Sequence, residues 1–286
     1  MDFNSPELIA FIKTCILEDC GDGDHSSLAS IPAGTQGHSR LLLKETGVIA
    51  GMELAQTILN VIDPSIAFTP YHRDGEHLAK GTLLAEATGS VHSLLLAERL
   101  LLNFMQRLSG IATQTAEMVK LTEGYKVKIL DTRKTTPGLR LLEKWAVKTG
   151  GGENHRIGLN DMIMLKDNHV DCAGGITAAV NSTVDYLQKH NKSLKIEVET
   201  RNMDEVREAL EIGKVDRIML DNFTPDACKE AVEWIAGRCE TEASGGIHAG
   251  NLREYAATGV DYISLGALTH SVKSLDISMK TKSMIA

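Results

Sequence analysis

The stretch "LKIEVETRNMDEVREALEIGKVDRIMLD", residues 194–221, holds one full unit of the pattern that sets the fold. It opens on a β-branched apolar run interrupted by Glu197 and Glu199, and passes through "NMDEVREALEIG", whose apolar positions recur at helical spacing. It closes on a second apolar run, "RIML", that stops at Asp221. Strand, helix and strand in so short a length predict parallel strands joined by a right-handed crossover. The unit repeats: Glu199 to Asp221, Asp221 to Ala243 and Ala243 to Leu265 are each 22 residues apart. With "VKIL" (127–130), "MIML" (162–165), "CETEA" (239–243) and "DYISL" (261–265), the strand candidates number six. An eight-stranded barrel needs more. The expectation is an α/β chain with an incomplete, six- or seven-stranded parallel β/α barrel over residues 111–270.

The first 110 residues read differently. "HSRLLLKETGVIAG" and "EHLAKGTLLAEATGS" are strand-like with glycine-marked turns, and the helical "MELAQTILNVI" lies between them. This predicts a separate α/β layer over residues 1–110, with the tail 271–286 expected to pack back on it. "SLLLAERLLLNFMQRLSGIATQTAEMVKLT" is a long helical stretch with a break expected at Ser109-Gly110. Its apolar residues run almost all round, the pattern of a helix buried on several sides, where Arg99 and Arg107 would be costly.

The formal charge of -8 argues against nucleic acid or an anionic membrane as partner, since either needs a basic face. Residues 131–170 depart from that total. Seven Lys and Arg against five Asp and Glu leave them at +2, so the remainder sums to -10. The N-terminal sequence lacks the basic start and apolar core of a secretory signal, which makes the cytoplasm the expected location. Five cysteines without metal-type pairing fit reduced thiols, and Cys15 and Cys20 have no second pair with which to build a metal site.

Nearly every strand of the second half stops in residues able to do chemistry. These are Asp131 with Arg133 and Lys134; Lys166 with Asp167, Asn168 and His169; Glu197 with Glu199; Asp221 with Asn222; Ser244 with Gly245 and Gly246; and Ser264 with Gly266. The carboxyl ends of parallel strands are where such folds bind ligands. Glu197 and Glu199, two apart, share one face with Lys195; buried in a barrel interior they would have to pair with cations or hold a metal. Glu199, nearer the strand's end, is the better functional candidate, with Glu197 as support. With Asp221 it could hold Mg²⁺, which takes one or two carboxylates and shares its other positions with water and phosphate. The small residues at 244–246 and 266 suit an anion closed on by backbone N–H groups. "DTRKTTPGLR" (131–140) and "KTGGGENHRIGLNDMIMLKDNH" (148–169) bring Arg133, Lys134, His155, Arg156 and Lys166 to the same rim. A site with a cationic and an acidic pole suits a small polyanion together with a phosphorylated, metal-bound co-substrate.

These segments, with "ERLLLNFMQRLSGIAT", "IEVET", "MLDNF", "EASGGI" and "GVDYISLGALTHS", follow one another as in the quinolinate phosphoribosyltransferase family, and the chain resembles that family from about residue 90 onward, with "GDGDHSS" and "GVIAG" extending the likeness forward. The resemblance implies an N-terminal α/β sandwich beside the incomplete barrel, and transfer of phosphoribosyl from phosphoribosyl pyrophosphate to quinolinate with loss of carbon dioxide, using Mg²⁺, in NAD biosynthesis. It implies Lys134, Lys166, Glu199 and Asp221 as catalytic residues. Arg99, Arg133, Lys134, His155, Arg156 and Lys166 would bind quinolinate. Glu199, Asp221, Ser244, Gly245, Gly246 and Gly266 would bind phosphoribosyl pyrophosphate, with Glu199 and Asp221 holding the metal. It also implies a homodimer with shared active sites, or a hexamer built from dimers, in which Arg99 serves the neighbouring subunit. Two rival readings are a related transferase for another heteroaromatic acid and a lyase forming a Schiff base through Lys166.

Overall fold

The computed structural model describes residues 1–284. Its chain divides into two compact units, one made of Met1–Gln114 with the tail from Val272, the other of Thr115–Ser271.

The first unit opens with helices α1 (Pro6–Cys20) and α2 (His25–Ser30), then β1 (Gln36–Leu43), β2 (Gly47–Val48), α3 (Met52–Ile62), β3 (Ala67–Pro70), β4 (His77–Leu78) and β5 (Leu83–Ser90). α1 starts as its sequence dictates: the Ser5 hydroxyl accepts from the Leu8 N–H, and Pro6 sits in the first turn, where a missing N–H costs nothing. α3 buries Met52, Leu54, Ala55, Ile58 and Leu59 along one face. The Asp74 carboxylate accepts from the Gly51 and Met52 N–H groups at 2.7 and 2.8 Å, satisfying the start of α3. The helix α4 (Val91–Leu121) follows, and the division between units falls inside it.

The expected break at Ser109-Gly110 is absent, because α4 is continuous. Gly110 serves close packing: a Cβ there would run into the backbone of Lys273 and Ser274. Ser109, fully buried, accepts from the Ala50 N–H at 2.9 Å. Arg99 is exposed on α4, so the burial cost expected for it does not arise.

The second unit continues with β6 (Lys128–Leu130), α5 (Arg140–Thr149), β7 (Ile163–Leu165), α6 (Asp167–Ala173), α7 (Ile176–Lys189), β8 (Ile196–Thr200), α8 (Met203–Glu211), β9 (Arg217–Asp221), α9 (Pro225–Ile235), β10 (Glu240–Ser244), α10 (Leu252–Ala256), β11 (Tyr262–Ser264) and α11 (Ala267–His270). The last described element, β12 (Ile277–Ser283), pairs antiparallel with β1 and completes a sheet of order β12-β1-β5-β3 in the first unit. β3 ends in Pro70 and lies at that sheet's edge, where a missing N–H is tolerated.

The six strands β6-β11-β10-β9-β8-β7 form one parallel sheet, with β6 and β7 as its two edges. It is an open barrel wall. The segment before β7 lies along the β6 edge, where Glu153 bridges to Leu130. α8 and α9 follow their strands after two and three residues because cap residues wait there. The Asn202 side chain accepts from Glu205 N–H to start α8, and Thr224 accepts from Ala227 N–H ahead of Pro225 to start α9.

The alternation along these strands separates two environments. Ile196, Val198, Ile218, Leu220, Ala243 and Ile263 are buried, as are Val206, Ala209, Cys228, Ala231 and Ile235 on α8 and α9. The positions between them are mostly charged. Glu197, Arg217 and Glu240 lie side by side in register, and so do Glu199, Met219, Glu242 and Tyr262. The apolar core thus belongs to the outward-facing strand positions, and the barrel interior is largely polar.

Candidate active site

Past β6, the Asp131 carboxylate is fully buried and ion-paired with the equally buried Lys144 from α5. Asp131 also accepts from the His155 N–H at 2.9 Å, and Lys144 Nζ donates to the His155 carbonyl at 3.0 Å. This pair fastens the His155-Arg156 loop to the end of β6. Burial outweighs the Lys144 charge and pushes the Asp131 carboxyl up to about 6, and burial pulls Lys144 down.

The loop "TRKTTPG" then presents Arg133 and Lys134. Arg133 Nε is buried without a hydrogen-bond partner, and the Arg133 charge lies close enough to Arg156 to add to the burial that lowers the Arg156 pKa. Two guanidiniums held near each other call for an anion between them. Lys134 is exposed, and its backbone carbonyl accepts from the Thr269 hydroxyl at 2.8 Å. A Cβ on Gly266 would stand 3.1 Å from Lys134 Cδ, so glycine there leaves room for the lysine stem. Arg156 donates to the Met162 carbonyl at 3.1 Å.

Lys166, directly after β7 and capping α6, has Nζ 3.1 Å from Glu199 Oε2 near the end of β8. Asp221, on the next strand, has its pKa raised by burial and then by the Glu199 charge, with Lys166 opposing. The two carboxylates are therefore electrostatic neighbours, and the Lys166 charge acts on both. Lys166 is 46% exposed and ion-paired, the setting of a charged lysine rather than of a desolvated nucleophilic amine, so the Schiff-base reading is not favoured.

Beside Asp221, Asn222 takes φ 57° and donates from Nδ2 to Asp221 Oδ2 at 2.7 Å, while its N–H donates to the Ser244 carbonyl at 2.8 Å. Gly245 and Gly246 turn at φ 91° and 63°. A Cβ on Gly245 would collide with Asn222, so this turn requires glycine twice over, for conformation and for space.

Beneath the rim lies a cluster that reading single strands did not assemble. Glu197, which its spacing from Glu199 put on the same face, points into the barrel interior, and the group it meets is His155, Nε2 to Oε2 at 3.0 Å. Glu242 Oε2 is 3.4 Å from the same Nε2 and accepts from Arg217 at 2.8 Å. Arg217 also pairs with Glu240 at 3.0 Å and lies 4.0 Å from the centre of the Tyr262 ring. Glu197, Glu242 and His155 are 0%, 0% and 7% exposed. Burial and the Glu242 charge raise Glu197; against its own burial, Glu242 is held low by His155 and Arg217. For His155, burial lowers the pKa, but the two glutamates outweigh it and lift it to about 9. The Arg156 N–H, donating to Nδ1 at 2.7 Å, opposes a second ring proton, so Nε2 carries a proton in either form. The signal for this cluster was the Glu240, Glu242 alternation, which mirrors Glu197, Glu199 two strands away.

The sequence of the second unit and of most of the first matches known proteins along its length. The N-terminal domain of quinolinate phosphoribosyl transferase matches residues 24–109, and the C-terminal domain matches residues 111–280. The chain belongs to the quinolinate phosphoribosyltransferase family. A chloroplastic nicotinate-nucleotide pyrophosphorylase [carboxylating] of Arabidopsis thaliana is 45% identical over 98% of this chain and 84% of its own. The probable nicotinate-nucleotide pyrophosphorylase [carboxylating] of Bacillus subtilis is 44% identical over 96% and 94%. The crystal structure of NadC from Streptococcus pyogenes superposes with a TM-score of 0.94 at 40% identity, covering all of both chains. The α/β architecture expected from the sequence, with its open parallel barrel wall, is the architecture of these quinolinate phosphoribosyltransferases.

Proposed function

We infer that the protein performs its family's pentosyl transfer with a site divided between cations and carboxylates. Quinolinate and phosphoribosyl pyrophosphate are converted to nicotinate mononucleotide, pyrophosphate and carbon dioxide, a step of NAD biosynthesis. The observation that carries the assignment of roles is the pair of poles on one rim, with Lys166 joining them through Glu199.

On this reading Arg133, Lys134, Arg156 and Lys166 clamp the rigid pyridine dicarboxylate, with His155 behind Arg156. Held there, the ring nitrogen bonds to the anomeric carbon as the bond to pyrophosphate breaks and its electron pair leaves with the pyrophosphate. Lys134 and Lys166 meet the negative charge of that rim during the transfer. The carboxylate next to the now quaternary nitrogen then departs as carbon dioxide, leaving its electron pair on a ring carbon stabilised by the adjacent positive charge, and a proton takes its place. Glu199 and Asp221 hold the ribose hydroxyls, and Ser244, Gly245, Gly246 and Gly266 close on the sugar phosphate with backbone N–H groups.

Glu199 and Asp221 are hard oxygen donors on adjacent strands whose mutual repulsion is only partly relieved by Lys166, a set that fits Mg²⁺. When bound there the ion would neutralise the pyrophosphate as it leaves.

We further propose a homodimer, or a hexamer of dimers, in which Arg99 joins the neighbouring subunit's cation pole; its exposure on α4 supports this. The free state of all five cysteines supports placement in the reducing cytoplasm, although the named Arabidopsis relative is chloroplastic. Among the described residues no helix is long and apolar enough to cross a membrane, and the net charge of -8 gives nucleic acid no attraction. The test is product formation with quinolinate and nicotinate side by side. Nicotinate mononucleotide from quinolinate alone is expected, and equal turnover of both would refute the dicarboxylate clamp.

A further inference from the structure

The His155 ring faces the protein with both nitrogens, but only Nδ1 has a hydrogen-bond partner. Nδ1 accepts from the Arg156 N–H at 2.7 Å, and Nε2 points at Glu197 and Glu242 at 3.0 and 3.4 Å. These are close ionic approaches, and Nε2, both Glu197 oxygens and Glu242 Oε1 are all buried without a hydrogen-bond partner. These acceptors surround one N–H donor. A histidine and two glutamates so close could in other surroundings hold a metal ion. Here the Arg217 guanidinium, 2.8 Å from Glu242, stands where the balancing cation would go, which disfavours a metal.

We propose that Glu242 and Arg217 are positioning residues that act through His155. Arg217 is fixed by Glu240 and the Tyr262 ring, and it fixes the Glu242 carboxylate. Glu242, with Glu197, sets which way the ring faces. The ring, through Nδ1, sets the backbone from which Arg156 reaches into the cation pole. Asp131 and Lys144 hold the His155 backbone from the other side, leaving the ring as the part the interior controls. The inference rests on the reading of that pole as the dicarboxylate clamp.

The test uses the full-length protein and direct binding of quinolinate and of phosphoribosyl pyrophosphate, measured by calorimetry. Glu242→Gln should weaken quinolinate about 10-fold, the scale on which outer-shell partners act, and change phosphoribosyl pyrophosphate by less than about 2-fold. In a His155→Asn background, the same substitution should add less than about 2-fold, because its path of action is gone. An undiminished effect in that background, or equal loss for both ligands, overturns the proposal. Independently, the ¹⁵N spectrum of the His155 ring in the unaltered protein should show a proton on Nε2. A bare Nε2 overturns the proposal even where Glu242→Gln fails to fold. Absence of quinolinate binding by the unaltered protein would instead refute the clamp reading, and the ring spectrum would still decide the orientation.

Discussion

Arg133 and Lys144 are both cations near the end of β6, and removing them should have different consequences. Arg133→Ala takes a guanidinium from the proposed clamp. Quinolinate binding should weaken by about 2–5 kcal/mol, the cost of leaving a buried charge without its partner, with a smaller loss for phosphoribosyl pyrophosphate. Equal losses in a binding titration of both ligands would take Arg133 out of the clamp. Lys144 touches no proposed ligand, and Lys144→Met leaves the buried Asp131 carboxylate without its ion pair, a loss of about 3–5 kcal/mol when that group is charged. The sign with pH follows from Asp131. Its folded pKa, about 6, lies above the ordinary 3.8, so its favourable contribution is complete below 3.8 and is lost as pH rises through 6. Without Lys144 the folded pKa rises further. The stability deficit of Lys144→Met, measured by denaturant unfolding, should therefore be larger at pH 8 than at pH 5; the reverse order would contradict the assignment.

Gly110 sets two element-level effects against each other. Alanine in a helix interior is favoured over glycine by about 1 kcal/mol, but here its Cβ would strike the Lys273 carbonyl, and such overpacking costs about 1–3 kcal/mol. Because the obstacle is backbone, the clash should win, and Gly110→Ala should lower the melting temperature. A rise would mean that the tail can move aside. The same glycine shows why one boundary was misread. Ser-Gly is a turn signal locally, and the partner that makes it a packing site comes from residues 273–274, far along the chain. Elements set by their own periodicity were legible: "MELAQTILNVI" is α3 from Met52 to Ile62, and all six parallel strands fall within the apolar runs that predicted them or extend one residue past them. The strand ends also disclosed the rim residues. β12, with its alternating "ISMKTKS", was not legible as a strand because pairing with β1 makes it one. The interior cluster was hidden for a like reason, since Arg217 and Glu242 gain meaning only once adjacent strands fix their register.

For the whole assembly, the proposed sharing of Arg99 predicts complementation. Homodimers of Arg99→Ala and of Lys166→Ala should each be nearly inactive. Co-refolding equal amounts gives roughly half heterodimers, in which one site carries both defects and the other neither, so about a quarter of full activity should return. If Arg99 served its own chain, every site would carry one defect and none would return. Correctly formed heterodimers without activity would sink the shared-site proposal. Glu199→Ala and Asp221→Ala, on the acidic pole, should lower turnover more than quinolinate affinity. Chelation should abolish activity, and Mg²⁺ should restore it; full turnover without metal would reject the Mg²⁺ proposal.

Strand order bears on how the chain is made. β7 to β10 each find a neighbour in the next strand to be synthesised, but β6, the first barrel strand off the ribosome, pairs with β11, the last. In the first unit β1 likewise awaits β12 on one side. A nascent chain halted before Tyr262 therefore leaves β6 without its strand partner and β1 and β10 each with an open flank, all closed only once β11 and β12 are made. The loop bearing Arg133 and Lys134 follows directly on one of them. The cationic pole would thus settle only after β11 has been made, and chains stalled before it should be cut by protease near β6 while the β8 to β9 region already resists.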